Sequence, residues 1–237
     1  MPQEFDQYAN EYEELLRDPI REKFAPGSKF FSDRKWKLIQ DFFARQNRPL
    51  SVLRWLDVGC GKGELLRMGK GIFGQIAGCD LSQEMMVSGG DLDICLQPDP
   101  DRLPFADGSF DFLTAVCVFH HVEPGTRLAL VNEMKRVLAP GGILGIFEHN
   151  PFNPTTRLIV SRTPVDQNAI LLRAGETEGL MRKAALQEVE TEYFLYLPEQ
   201  FYNRIPWMEA ALRSVPLGGQ YATFGRNNAG DPNQHGG

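Results

Sequence analysis

Residues 56–66 read LDVGCGKGELL, and this stretch decides the fold. The apolar-rich residues 52–58 suit a buried strand, and glycines at 59, 61 and 63 follow it at once. Glycines there let the backbone turn sharply and let a ligand approach the main chain. Residues 64–68 then start a helix. Two nucleotide loops fail to match. A P-loop needs Ser or Thr after its lysine, and Gly63 follows Lys62. The dinucleotide pattern G-x-G-x-x-G needs glycine at 64, where Glu64 stands and would oppose a pyrophosphate at the helix N-terminus. A cationic or zwitterionic ligand without phosphates fits better.

The next strand, residues 75–79, ends at Asp80. A carboxylate there can accept hydrogen bonds from both hydroxyls of a ribose. Its competing role is to cap the following helix, for which Ser82 is better placed.

Working outward, residues 4–17 and 30–44 carry apolar side chains at helical spacing, and Pro19 ends the first run. Strands are expected at 92–96, 110–118, 142–147, 188–196 and 220–224. Helices are expected at 82–87, 126–138, 155–161, 177–186 and 205–212, with a loop around Pro164. This alternation implies an α/β fold with a parallel sheet covered by helices on both faces. Three regions follow: a helical cap over 1–48, a core over 49–225 with a lid insertion over 151–216, and a disordered tail over 226–237.

The chain has 237 residues and a formal net charge of -6, so a polyanion such as nucleic acid is a poor partner. No apolar run has the length of a membrane span, and the first residues do not read as a signal peptide. The four cysteines form no CxxC pair and read as small hydrophobes, so a cytoplasmic setting is expected.

Five motifs carry a family resemblance: LDVGCGKGELL, GCDLS, LPFADGSFDFL, VFHHV and LAPGGILGI, in that order. They resemble the class I S-adenosylmethionine-dependent methyltransferases, within them the small-molecule enzymes of the ubiquinone-pathway type. The resemblance covers about residues 50–150. It implies a Rossmann-like seven-stranded sheet whose last strand is antiparallel. It also implies S-adenosylmethionine as cofactor and S-adenosylhomocysteine as product. The methionine part would lie against Asp57, Gly59, Cys60, Gly61 and Gly63. Asp80 would take the ribose, with Leu81 beside the adenine. Asp99 would meet the adenine amino group, although Pro100 lacks the N–H that usually follows it. The competing role of Asp99 and Asp101 is as turn residues in a Pro-rich loop. Cys117 would offer main chain near the sulfonium.

Methyl transfer needs a nucleophile in line with the methyl carbon, and a base only if that nucleophile arrives protonated. Candidates stand at two neighbouring strand ends. One end carries His120 and His121. The other carries EHNPFNP, residues 148–154, whose apolar run ends in Glu148, His149 and Asn150 before two prolines. His149 or His120 is the expected base, and Glu148 or Asn150 orients it or the acceptor. His121 has packing at a helix start as its competing role, and Tyr8 and Tyr12 are further candidates over the cofactor. Two histidines with Glu148 have the composition of a metal set, but a sulfonium needs no Lewis acid, so no metal is expected. The expected partner is a small molecule methylated at oxygen or carbon, by a monomer or homodimer. The alternative is a cofactor-binding protein with non-methylating or regulatory chemistry. Protein or nucleic-acid methylation is a weaker third reading.

Overall fold

Strand-forming runs alternate with amphipathic helices along most of the chain, and each helix buries its apolar face against the sheet. The computed structural model describes residues 4–9, 11–87 and 90–228. In chain order the elements begin with a 3-10 helix (Glu4–Tyr8), α1 (Tyr12–Leu15), α2 (Pro19–Phe24), α3 (Lys29–Arg45) and β1 (Arg54–Val58). Then come α4 (Glu64–Gly69), β2 (Gln75–Asp80), α5 (Gln83–Val87), β3 (Ile94–Leu96), β4 (Phe110–Val116) and a 3-10 turn (Phe119–His121). The second half holds α6 (Arg127–Val137), β5 (Leu138–His149), α7 (Pro154–Val160), a 3-10 turn (Pro164–Asp166) and α8 (Ala174–Lys183). It closes with β6 (Gln187–Phe194), α9 (Glu199–Tyr202), α10 (Pro206–Leu212) and β7 (Gln220–Arg226).

The seven strands form one sheet in the order β3-β2-β1-β4-β5-β7-β6. The neighbours from β3 to β5 pair parallel, and β7 runs antiparallel to both β5 and β6. This Rossmann-like arrangement matches the expected fold. The strand order reverses between β1 and β4, so their C-terminal ends diverge into a crevice where open α/β sheets bind ligands.

Aromatic residues build one face of the core. Phe42 and Phe43 of α3 pack on Phe224 and Phe112, with ring centroids 4.1 and 4.9 Å apart. Each such side chain, once buried, contributes about 1.5–3 kcal/mol. On the other face Val131 and Met134 of α6 and Met181 of α8 pack on Leu113, Leu144 and Ile146.

Several expected boundaries shift, each for a local reason. The amino-terminal run is not one helix. Pro19 ends it and also opens α2, where Asp18 caps the N–H groups of Ile20 and Arg21. Helix α3 belongs to the aromatic core, and Phe24 and Ala25 before it join the same cluster. Strand β6 lies in the sheet and α8 packs beside it, so residues 151–216 are not wholly a lid. Strand β5 runs through Pro140 to His149 instead of stopping at 147, because β7 pairs with it to the end. The disorder expected from 226 does not hold for the first residues of that stretch. Arg226 closes β7, and Asn227 donates to the carbonyls of Leu138 and Ala139. Residues 229–237 lie outside the described residues.

Candidate active site

Strand β1 ends at Val58 and the chain turns away through Gly59, at φ 68°. A Cβ there would sit 2.6 Å from Val118 Cγ2. Gly63, at φ 73°, caps α4, and its Cβ would sit 2.5 Å from Leu92 Cδ1. Gly63 thus packs loop against sheet and is not in the cavity wall, unlike Gly59, Cys60 and Gly61. The Gly61 N–H donates to Asp80 Oδ2 (2.7 Å) and the Ser82 N–H to Oδ1 (2.8 Å). Asp80 therefore ties the loop to the end of β2. Ser82 is the cap of α5, accepting the Met85 N–H.

Asp57 is buried at the loop base. It accepts from Thr114 Oγ1 at 2.5 Å, and Thr114 in turn accepts the Trp55 indole N–H at 2.8 Å. Burial pushes its carboxyl up to about 7; Thr114 works against that rise and Asp80 adds to it.

A cavity of about 430 Å³ opens beside this loop. Its wall draws on Asp57, Gly59 and Met85, on Tyr12, Phe31 and Lys35 of the amino-terminal segment, and on Cys117, His120, His121, His149 and Gln220. Burial raises the Tyr12 hydroxyl and the Cys117 thiol, so both stay protonated. Cys117 takes φ 57°, unusual for a residue with a Cβ, and the bend turns β4 into the 3-10 turn carrying His120 and His121.

Residues 148 and 149 are adjacent on β5, so their side chains leave opposite faces. Glu148 points into the protein, accepting the Phe119 N–H at 2.7 Å and meeting His120 Nδ1 at 2.6 Å. His149 points into the cavity wall, with Nδ1 3.3 Å from Gln220 Nε2. Burial, then the nearby His120 charge, pushes His149 down to about 4, so the ring is neutral. Its proton sits on Nε2 when Gln220 presents its amide nitrogen and on Nδ1 when it presents its oxygen. The Gln220 Oε1 atom is buried without a partner.

His120 Nε2 lies 3.4 Å from Asp166 Oδ1, and His121 Nε2 lies 3.5 Å from the same atom. Burial alone would lower His120, but Glu148 and Asp166 together raise it well above the usual histidine range. Burial would likewise raise Asp166, and the two histidines overcome it, so Asp166 is held well below the usual carboxylate range.

Several sequence expectations are corrected here. His120 lies between the carboxylates of Glu148 and Asp166, which favour its protonated ring, so it is not poised as a base. Glu148 supports His120 and does not line the cavity. Asn150 does not face an acceptor. Its amide donates to the carbonyls of Pro216 and Gly218, and its Oδ1 accepts the Phe152 N–H, clasping the loop before β7. Tyr8 is outside the cavity wall and packs on Phe5. Asp99 is exposed, and its carboxylate accepts the Asp101 N–H as a turn residue. Leu81 lies outside the wall, whereas Asp80 adjoins it through the Gly61 N–H that it accepts.

Asp166, Gln220 and Lys35 were not expected from sequence. Asp166 follows Pro164-Val165 in a segment without periodicity, and only the fold brings it to the histidines.

The strand order and the crevice are those of the Rossmann-like methyltransferase fold. Residues 56–146 match the family described as "Methyltransferase domain". A probable tRNA methyltransferase 9B of Mus musculus is 31% identical over 147 residues, which are 60% of this chain and 31% of that protein. A demethylmenaquinone methyltransferase of Staphylococcus aureus is 34% identical over 105 residues, 40% of this chain and 43% of that one. The chain thus aligns with under half the length of either relative. Among solved structures, the complex between the Haloferax volcanii Trm112 methyltransferase activator and the putative methyltransferase holds a similar fold. Its TM-score is 0.65 at 22% identity, covering 97% of this chain and 100% of that chain. Residues 56–146 thus match a methyltransferase domain, and the described fold is that of solved S-adenosylmethionine-dependent methyltransferases. Among the described residues no helix is long and apolar enough to cross a membrane.

Proposed function

We propose that the protein transfers the methyl group of S-adenosylmethionine to a small acceptor that arrives with an O–H or acidic C–H. The carrying observation is the neutral His149 ring in the wall of the cavity that also holds the glycine loop. A neutral ring does not repel a sulfonium. When the methyl group leaves, the positive charge on sulfur disappears, and a proton arriving on His149 restores the charge of the pocket. With Gln220 presenting its oxygen to Nδ1, Nε2 of His149 is free to accept that proton. Glu148 fixes His120, Asp57 faces the cationic methionine part, and Asp80 takes the ribose with its remaining lone pairs. The cavity of about 430 Å³, with Tyr12 and Lys35 in its wall, supports a small acceptor, as does the net charge of -6.

A second reading has the likeness to tRNA methyltransferases behind it. There the acceptor is a nucleoside inserted from an RNA. One experiment separates the readings. The protein is incubated with methyl-labelled S-adenosylmethionine and either a panel of phenols, hydroxy acids and quinols or total tRNA. Labelled small molecules with release of S-adenosylhomocysteine support the proposal. Label in tRNA alone overturns it, and cofactor binding without transfer to either acceptor class points to the non-methylating alternative.

A further inference from the structure

We propose that His120, His121 and Asp166 form a divalent transition-metal site opening into the cavity. One ring nitrogen of each histidine and a carboxylate oxygen of Asp166 all lie within 4.8 Å of one another. The two histidine-to-Asp166 separations, 3.4 and 3.5 Å, exceed the 2.7–3.2 Å of a good N–H···O hydrogen bond. They do match the edge of a metal tetrahedron. Ligand bonds of about 2.0–2.1 Å to zinc place neighbouring donor atoms roughly 3.4 Å apart.

The surroundings have the form of a ligand shell. A metal-bound histidine usually gives its other ring N–H to a carboxylate, which fixes the tautomer and the aim of the ring. His120 Nδ1 meets Glu148 Oε2 at 2.6 Å, and the Phe119 N–H holds the other oxygen of Glu148 at 2.7 Å. That leaves Nε2 of His120 aimed at Asp166. His120 and His121 come from one 3-10 turn, and Asp166 from another across the cavity end. All three residues line the cavity, so the fourth coordination position is open to a ligand. Two nitrogens and one oxygen suit zinc or a similar divalent ion and disfavour copper(I), which seeks sulfur.

An acceptor oxygen in the open position would lose its proton more readily. This use of the site rests on the methyl-transfer reading; metal binding itself does not. In that step the O–H bond breaks and the proton passes to His149. The oxygen lone pair forms the bond to the methyl carbon, and the S–C bond pair stays on the sulfur of S-adenosylhomocysteine. The metal set weighed from sequence paired the histidines with Glu148, whereas here Asp166 is the carboxylate that meets both rings.

The test titrates Co²⁺ into the full chain after chelator stripping, following visible absorption and bound metal per chain. The expected result is one Co²⁺ per chain with the bands of a four-coordinate nitrogen–oxygen site, displaced by Zn²⁺. His121→Ala and Asp166→Asn should each weaken binding by at least about tenfold, with folding checked by circular dichroism. His121 is partly exposed, so its variant is the one expected to fold without difficulty. Cys117→Ser should keep the site and its spectrum. Absence of stoichiometric metal in the wild type, or affinity unchanged in the folded His121→Ala variant, overturns the proposal. Cofactor calorimetry on the same samples separates the two ideas. Metal bound without cofactor binding sinks the methyl-transfer reading alone, and cofactor bound without metal sinks the metal site alone.

Discussion

Nδ1 of His120 lies 2.6 Å from Oε2 of Glu148, and both side chains are almost completely buried. Removing one partner of such a pair leaves the other in a medium that solvates it poorly. Glu148→Ala also frees the Phe119 N–H. The variant should lose about 3–5 kcal/mol of stability in denaturant unfolding. A loss under about 1 kcal/mol, the range of a surface pair, would show that the pair is not held together in solution.

His149→Asn tests the base. The side chain stays polar but loses the imidazole. Turnover should fall by about a hundredfold, the lower range for a general base. Cofactor affinity by calorimetry should stay within about twofold. Unchanged turnover removes His149 from the chemistry.

Asp57 predicts a pH dependence. Its folded pKa is about 7, raised from 3.8 chiefly by burial, with Asp80 raising it further and Thr114 and Lys35 opposing. The sign follows from linkage. Between pH 4 and 7 the unfolded chain ionises Asp57 while the folded chain keeps it protonated, so its contribution to stability falls as pH rises through that window. The cationic methionine part favours the ionised form. Cofactor binding below pH 7 must then release a proton, and affinity should rise by up to about tenfold per pH unit toward 7 before levelling. Asp57→Asn should flatten both profiles, as read by calorimetry and thermal melts from pH 5 to 8.

Buried Arg34 of α3 and Glu209 of α10 form an ion pair at 3.1 Å, and Glu209 also accepts the Leu195 N–H. This pair fixes α10 and the end of β6 to the helix beneath them. Glu209→Ala should cost about 3–5 kcal/mol in chemical unfolding, because Arg34 would remain buried without its carboxylate, beside the Tyr202 hydroxyl. Lys37→Ala on the exposed side of the same helix serves as the control. Its pair with Asp41 is open to solvent and should contribute under about 1 kcal/mol.

The parallel core was legible because its signals are local. Gly59, Gly61 and Gly63 after an apolar run mark the first strand-to-helix turn, and the later strands repeat that rhythm. The end of β5 was not legible. Glu148 and His149 look like loop residues until β7, far along the chain, pairs with them. Strand alternation then sends Glu148 inward and His149 to the cavity, a split that consecutive polar letters do not reveal. Asn150 misled for a similar reason. Its partners are the carbonyls of Pro216 and Gly218, and no local spacing signals them. Asp99 went the other way: beside two prolines its carboxylate closes a turn, the competing role already open from sequence.

The cavity beside the glycine loop is assigned to S-adenosylmethionine, and calorimetric titration of S-adenosylhomocysteine into the full chain tests that most directly. The account predicts one site per chain, lost in Gly59→Ala, where a Cβ would meet Val118 and the backbone sits at φ 68°. Asp80→Ala should weaken the site. A wild-type protein that is folded and gives no binding heat at any temperature tested would contradict the account.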